Sequence, residues 1–384
     1  MKGFRLAFVA AAALAAVAGC GENDGVEELA QGRAAIAAGD YARAAELLAR
    51  SGELDPSNAD VWLELARVRG QLGEYEAASA ALAKASELAG GDCDVMMMEA
   101  EIAYHRQDYD AALKIYRAVA DNEGFEAPVR SAAWASIGVV TMFRSEQDRH
   151  LARIAYLRAL RLDHRNAAAW FNLGCLYRDS FDYSEAALEQ LERFVRLEQT
   201  ADARVQRAQR TFIPALREAI ARTAAQRPGA ETRDSALCTA ELQKAKSAEG
   251  KKDFPSALKH YNAALKADVN SFAAALGVAE MTEKTSRNAA RDAQRILDAY
   301  VNACRLAPSK VSLYLRTGEL AAKAGNHASA EMIFSRAVAA DPANITAIDG
   351  LIRALGKTGD SRNAAAYQAY RDSIKSSRRA VRRN

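Results

Sequence analysis

Aromatic residues are scarce in this chain, with Phe, Trp and Tyr together making 7% of 384 residues. Sheet cores draw on aromatic and β-branched side chains, so the shortage argues against a β-sandwich or barrel. There are only seven prolines, and they are well spread, which excludes a proline-rich disordered chain. Neither sign of charge dominates. Lys and Arg number 52 against 49 Asp and Glu, a formal charge of +3, so charge gives no footprint for nucleic acid. The five cysteines (Cys20, Cys93, Cys175, Cys238 and Cys304) form no CxxC pair, and the five histidines are scattered, so no zinc or other metal site is implied. Motifs for phosphate binding, nucleophilic catalysis and metal hydrolysis are missing. No catalytic residue and no cofactor is therefore assigned. The plentiful carboxylates lie among Arg and Lys, where solvated ion pairs account for them.

What is present is alanine. Half the chain is hydrophobic, and Ala dominates that share, as in helix-rich proteins. The length exceeds what one core supports, roughly 250–300 residues, so two domains or a solenoid is expected.

Residues 1–19 form three zones. Lys2 and Arg5 are basic, Leu6 to Val17 is an unbroken apolar run of 12, and Ala18 and Gly19 are small. Twelve residues are too few to span a bilayer, which takes about 20. The proportions are those of a secretory signal peptide. The ending Val17-Ala18-Gly19-Cys20 resembles the bacterial lipobox. That resemblance implies cleavage before Cys20, acylation of its thiol and amine, and anchoring by several acyl chains. Gly21 rather than Asp follows the cysteine, which in proteobacterial lipoproteins favours the periplasmic side of the outer membrane. Residues 20–25 read as a short lipidated tether.

The rest of the chain repeats itself. In 59–92, Trp62 is followed by Leu65, Ala66, Gly73, Tyr75, Ala78, Leu82 and Ala85. In 167–200, Trp170, Leu173, Gly174, Tyr177, Tyr183 and Ala186 stand at matching offsets. In 311–344 the series is Tyr314, Gly318, Gly325, Ala330, Phe334, Ala337 and Pro342. Weaker copies occupy 25–58, 93–126, a fourth about two residues longer, 238–271, 272–309 and 345–378. The period of 34 and these residues resemble the tetratricopeptide (TPR) repeat. The resemblance implies an all-α solenoid of about nine helix-turn-helix units. Small residues at the eighth and twentieth positions let paired helices approach, and larger ones fill the space around them. Gly near the fifteenth ends the first helix in a left-handed cap. One unit cannot bury its apolar face alone, so neighbours stack.

The frame is lost after 200. Pro214 reads as the start of a short helix, and the polar stretch around Pro228 and Gly229 as a linker. The expected organisation is one array of about five repeats over 26–200, a capping helix and linker over 201–235, and a second array of about four repeats over 236–378. A basic tail, 379–384, ends the chain and is expected to be solvated.

In a TPR fold, positions 2, 5, 9 and 12 of each first helix line the concave face. In the first two repeats these include Leu29, Arg33, Ile36, Leu63, Arg67 and Gly70, which is not the Lys/Asn/Arg clamp of carboxylate-binding TPR domains. In the third to fifth they become Met97, Tyr104, Ala135, Val139, Met142 and Phe171, with Arg178 beside them. Two readings of this stripe stand. It receives an amphipathic helix of a partner, or its residues pack against the neighbouring helices. The expected function is that of a membrane-anchored scaffold mediating protein–protein interaction in the bacterial cell envelope. Its partners would be an envelope protein and, through the anchor, the membrane, with no nucleic acid. The alternative is a carrier of a small ligand or glycan in the concave groove.

Overall fold

The computed structural model describes residues 24–198, 202–227, 233–288 and 291–381. Cys20, the signal segment and most of the tether lie outside the described residues. Within them the chain is helical, and no strand is present.

Nine helix pairs among the described residues follow the repeat, five before an off-frame run and four after it. In the first half they are α1 Asp24–Ala38 with α2 Tyr41–Leu54, α3 Ala59–Leu72 with α4 Tyr75–Leu88, and α5 Cys93–His105 with α6 Tyr109–Asp121. The fourth pair is α7 Ala127–Arg144 with α8 Arg149–Leu162, and the fifth is α9 Ala167–Asp179 with α10 Ser184–Leu197. An off-frame run comprises α11 Ala203–Arg207 and α12 Ile213–Ala225. The second series then pairs α13 Ser235–Gly250 with α14 Phe254–Ala267, and α15 Phe272–Thr285 with α16 Ala293–Leu306. Last come α17 Val311–Lys323 with α18 His327–Ala340, and α19 Ile345–Thr358 with α20 Ser361–Val381. The tail expected from 379 is helical as far as Val381.

Most pairs turn by one local device. The first helix ends on a residue of positive φ: Gly39, Gly73, Gly325 and Gly359 lie at +78°, +80°, +76° and +91°. Where the sequence lacks Gly there, the backbone keeps the same turn, with Gln107 at +63° and Lys252 at +61°. The next residue caps the second helix. The carboxylates of Asp40, Asp108 and Asp253 accept from the N–H of Arg43, Ala111 and Ser256, and the Asn326 amide oxygen accepts from that of Ser329.

Packing within a pair depends on small residues. A Cβ built on Gly138 would lie 2.4 Å from the Tyr156 ring, and one on Gly318 would lie 2.8 Å from the Phe334 ring. The large partners sit directly on the bare backbone, which is why the eighth position stays small. Buried residues then join across pairs, as in the cluster of Leu48, Trp62, Leu65 and Leu82, and that of Leu113, Tyr116, Val119 and Ile137.

The off-frame run is helical throughout, with a π turn, Ala208–Phe212, between α11 and α12. Pro214 is the second residue of α12 and not the first of a separate helix. Having no N–H, it cannot donate to the carbonyl of Arg210, and the widened turn before it takes up the mismatch.

The chain divides between Ala169 and Trp170 into two compact units. This division falls ahead of the composition break at 201–235. The fifth pair and the off-frame run are tied instead to the second series of helices. Tyr183 Oη lies 3.5 Å from the Met332 carbonyl, and Arg227 donates to Asn270 Oδ1 at 2.6 Å and to the Arg305 carbonyl at 3.4 Å.

Candidate functional site

In the first unit, four of the stripe residues lie on two helices. Met97 and Tyr104 are two turns apart on α5, and Val139 and Met142 one turn apart on α7. All four lie at intermediate exposure. Met97 and Tyr104 rest against the core cluster of Leu113, Tyr116 and Ile137, so their inner edges are spent on packing. Ala135 is buried and lines nothing.

The stripe continues into residues that the groove positions did not select. Phe143, next to Met142, is 64% exposed, and the Tyr104 ring meets it edge-on at 5.6 Å. Tyr104 also contacts His105 at 5.1 Å, and His105 stacks on Tyr75 at 5.2 Å with the planes only 9° apart. Tyr75, His105, Tyr104 and Phe143 thus form an aromatic string over the second to fourth pairs. Its signal in the sequence was the crowding of aromatic residues at helix ends around the fifteenth position. Burial, and then Tyr109, raise the Tyr104 phenol above its ordinary range, so it stays protonated and able to donate.

In the second unit, Phe171 and Arg178 on α9 are covered by the chain itself. The Phe171 ring packs 5.0 Å from Phe194 and 6.3 Å from Phe212 of the π turn. The Arg178 guanidinium lies 3.6 Å over the Phe212 ring, and its Nε and Nη2 both donate to Asp179 at 2.6 Å. Burial disfavours the Arg178 charge, but the Asp179 carboxylate outweighs it and leaves the pKa raised. The off-frame helix occupies the place that a further repeat would fill, and these two side chains are its seat. At Phe171 and Arg178 the side chains pack in part against the off-frame run.

Two segments, residues 35–95 and 286–345, match family profiles described as Tetratricopeptide repeat. These segments are tetratricopeptide repeats. No curated protein matches the chain at a comparable level. Among solved structures similar to it, PilW, titled a widely conserved type IV pilus biogenesis factor, is 15% identical, with 53% of this chain and 94% of that chain covered at a TM-score of 0.41. PilF of Pseudomonas aeruginosa is 17% identical over 69% of this chain and 99% of that one, at 0.38. YrrB, titled a TPR protein with an unusual peptide-binding site, is 19% identical over 49% and 93%, at 0.33. Likenesses this distant bear on neither function nor partner.

The TPR groove of the first two repeats is partly closed by its own charges. Arg33 Nε and Nη2 donate to Glu64 at 2.8 and 2.6 Å, so this arginine is already paired. Cys93, Cys175, Cys238 and Cys304 are free, and burial pushes both Cys175 and Cys304 up to about 11, away from the reactive thiolate. Among the described residues no His, Cys, Asp and Glu group could hold a metal ion, and no helix is long and apolar enough to cross a membrane.

Proposed function

We propose that this TPR protein is a lipid-anchored scaffold of the bacterial cell envelope, attached through Cys20, that docks a partner protein in the first-unit groove. TPR repeats are protein-binding modules and are generally non-catalytic, which fits the absence of any catalytic motif in the sequence. One observation carries the choice of site. On α5 and α7, the strip of Met97, Tyr104, Val139 and Met142 continues into the exposed ring of Phe143. A contiguous apolar strip of this kind marks a contact surface, whereas scattered apolar residues do not. Methionine adapts its shape and suits a surface that grips a helix. The favoured partner is therefore an amphipathic helix of an envelope protein. The lipobox and Gly21 support placement on the periplasmic side of the outer membrane.

The combined substitution Met97→Glu and Met142→Glu tests this. Partner capture from detergent-solubilised envelope should fall at least tenfold, while helix content and melting temperature by circular dichroism stay nearly unchanged. Capture at the wild-type level would place the interface elsewhere.

A further inference from the structure

A concavity in the second unit lies outside the repeat groove. A cavity of about 200 Å³ opens between the start of α10, the loop before α17 and the last turns of α18. Pockets for drug-sized ligands run to about 300–1,000 Å³, so an occupant here is smaller. None of its lining residues stands at position 2, 5, 9 or 12 of a first helix.

Its walls carry opposite charges that do not meet. Arg336 of α18 lines one side, and Glu185 and Glu189 of α10 line another. Arg336 forms no ion pair with a described residue, and its Nε is buried with no hydrogen-bond partner. A buried donor left unsatisfied is costly and calls for an acceptor. The guanidinium is held by stacking, with Cζ 4.9 Å over the Tyr183 ring. Burial pushes the Tyr314 phenol up to about 12, so the hydroxyl beside Arg336 stays protonated and supplies no counter-charge. Across the cavity, Glu189 is paired with Arg193 at 2.7 Å. Glu185 is exposed and makes no hydrogen bond or ion pair among the described residues. Arg227, a cation whose charge reaches Glu185, donates instead to Asn270 and to the Arg305 carbonyl.

We propose that this cavity binds a small free amino acid, with its carboxylate on Arg336 and its ammonium on Glu185. A planar carboxylate can accept from two guanidinium donors at once and would satisfy the orphaned N–H. A ligand with negative charge alone would meet Glu185 uncompensated, and one with positive charge alone would meet Arg336. A zwitterion answers both. Ala186, Ala339 and Ala340 line the cavity with methyl groups, which leaves space for a short apolar side chain and excludes a large one. The site depends on neither Cys20 nor the first-unit groove.

Isothermal titration calorimetry on the full chain tests this with L-alanine, propionate and ethylamine. These carry both charges, the carboxylate alone and the ammonium alone. L-Alanine should bind at millimolar concentration or below, and the other two at least tenfold more weakly. L-Tryptophan should not compete. Glu185→Gln, at an exposed position, should weaken L-alanine binding at least tenfold with an unchanged melting temperature, and Arg336→Gln should do the same. Met97→Glu with Met142→Glu should leave the affinity unchanged, so failure of the first-unit reading does not mimic failure here. The proposal is overturned if L-alanine shows no binding at about 10 mM, if propionate or ethylamine binds as tightly, or if Glu185→Gln keeps wild-type affinity.

Discussion

At the scale of single residues, identical substitutions have opposite consequences at different repeat positions. Gly138 has the buried Tyr156 ring where its Cβ would be, whereas Gly70 near the end of α3 has nothing within 4 Å. Gly138→Ala should cost about 2 kcal/mol through overpacking, and Gly70→Ala should gain about 0.5–1 kcal/mol from helix propensity. Urea denaturation of the two variants checks the pair, and equal shifts would refute the packing account. A second residue-scale device is His150 on α8, 5% exposed, with Nδ1 at 3.4 Å from Arg153 Nη2. Burial, and then the charges of Arg153 and Arg149, push its pKa down to about 2. The folded value lies below the unfolded one of about 6.5, so only the unfolded chain takes up this proton at mild acidity. This contribution is intact above about pH 6.5 and falls at roughly 1.4 kcal/mol per pH unit below it. Hydrogen exchange of α7 and α8 should quicken between pH 7 and 5 beyond the intrinsic rate change, and His150→Gln should remove that excess. The sequence showed only a scattered histidine here, because its burial depends on what packs over α8.

At the scale of elements, the turn inside each pair decides the register of everything after it. Gly73 and Gly359 meet the left-handed requirement at no steric cost, while Gln107 and Lys252 adopt the same φ with a side chain. Lys252→Gly should therefore stabilise the α13–α14 pair by about 0.5 kcal/mol, and Gly359→Ala should destabilise α19–α20 by about 1 kcal/mol. Thermal melts with the same direction of change at both sites would contradict this. The glycines were legible as caps because they recur at one offset. Gln107 and Lys252 were not, since neither residue type announces positive φ. The Asp and Asn caps one residue later mark the same turn and were the overlooked signal. The off-frame run shows the opposite limit. Pro214 suggested a helix start, but stacking of Phe212 between Phe171 and Arg178 keeps one helical run together through a π turn.

At the scale of the whole molecule, the proposed function joins an address to a surface. Cys20→Ala should abolish acyl labelling and release the protein from the membrane fraction, with the fold of residues 24–381 unaffected. Labelling with fatty acid that persists in this variant would end the lipoprotein reading. The two units differ in surface chemistry: an apolar strip lies on α5 and α7, and a charged cleft between α15 and α17.

The sequence by itself determined the repeat, the helix pairs and the bare positions where helices touch. All three are local, set by spacings within 34 residues and by the volume of one side chain against its partner. The resemblance to the TPR repeat implied which residues face the groove. Which of those residues remain available was decided only in three dimensions. Phe171 and Arg178 share the periodicity of Met97 and Tyr104, yet Phe212, more than thirty residues further on, covers them. Glu280 and Lys284 resemble any helical ion pair one turn apart, yet Lys284 hydrogen-bonds Glu249 on another helix. Pairing and burial are competitions among all groups within reach, and chain folding, not spacing along the sequence, sets which groups those are.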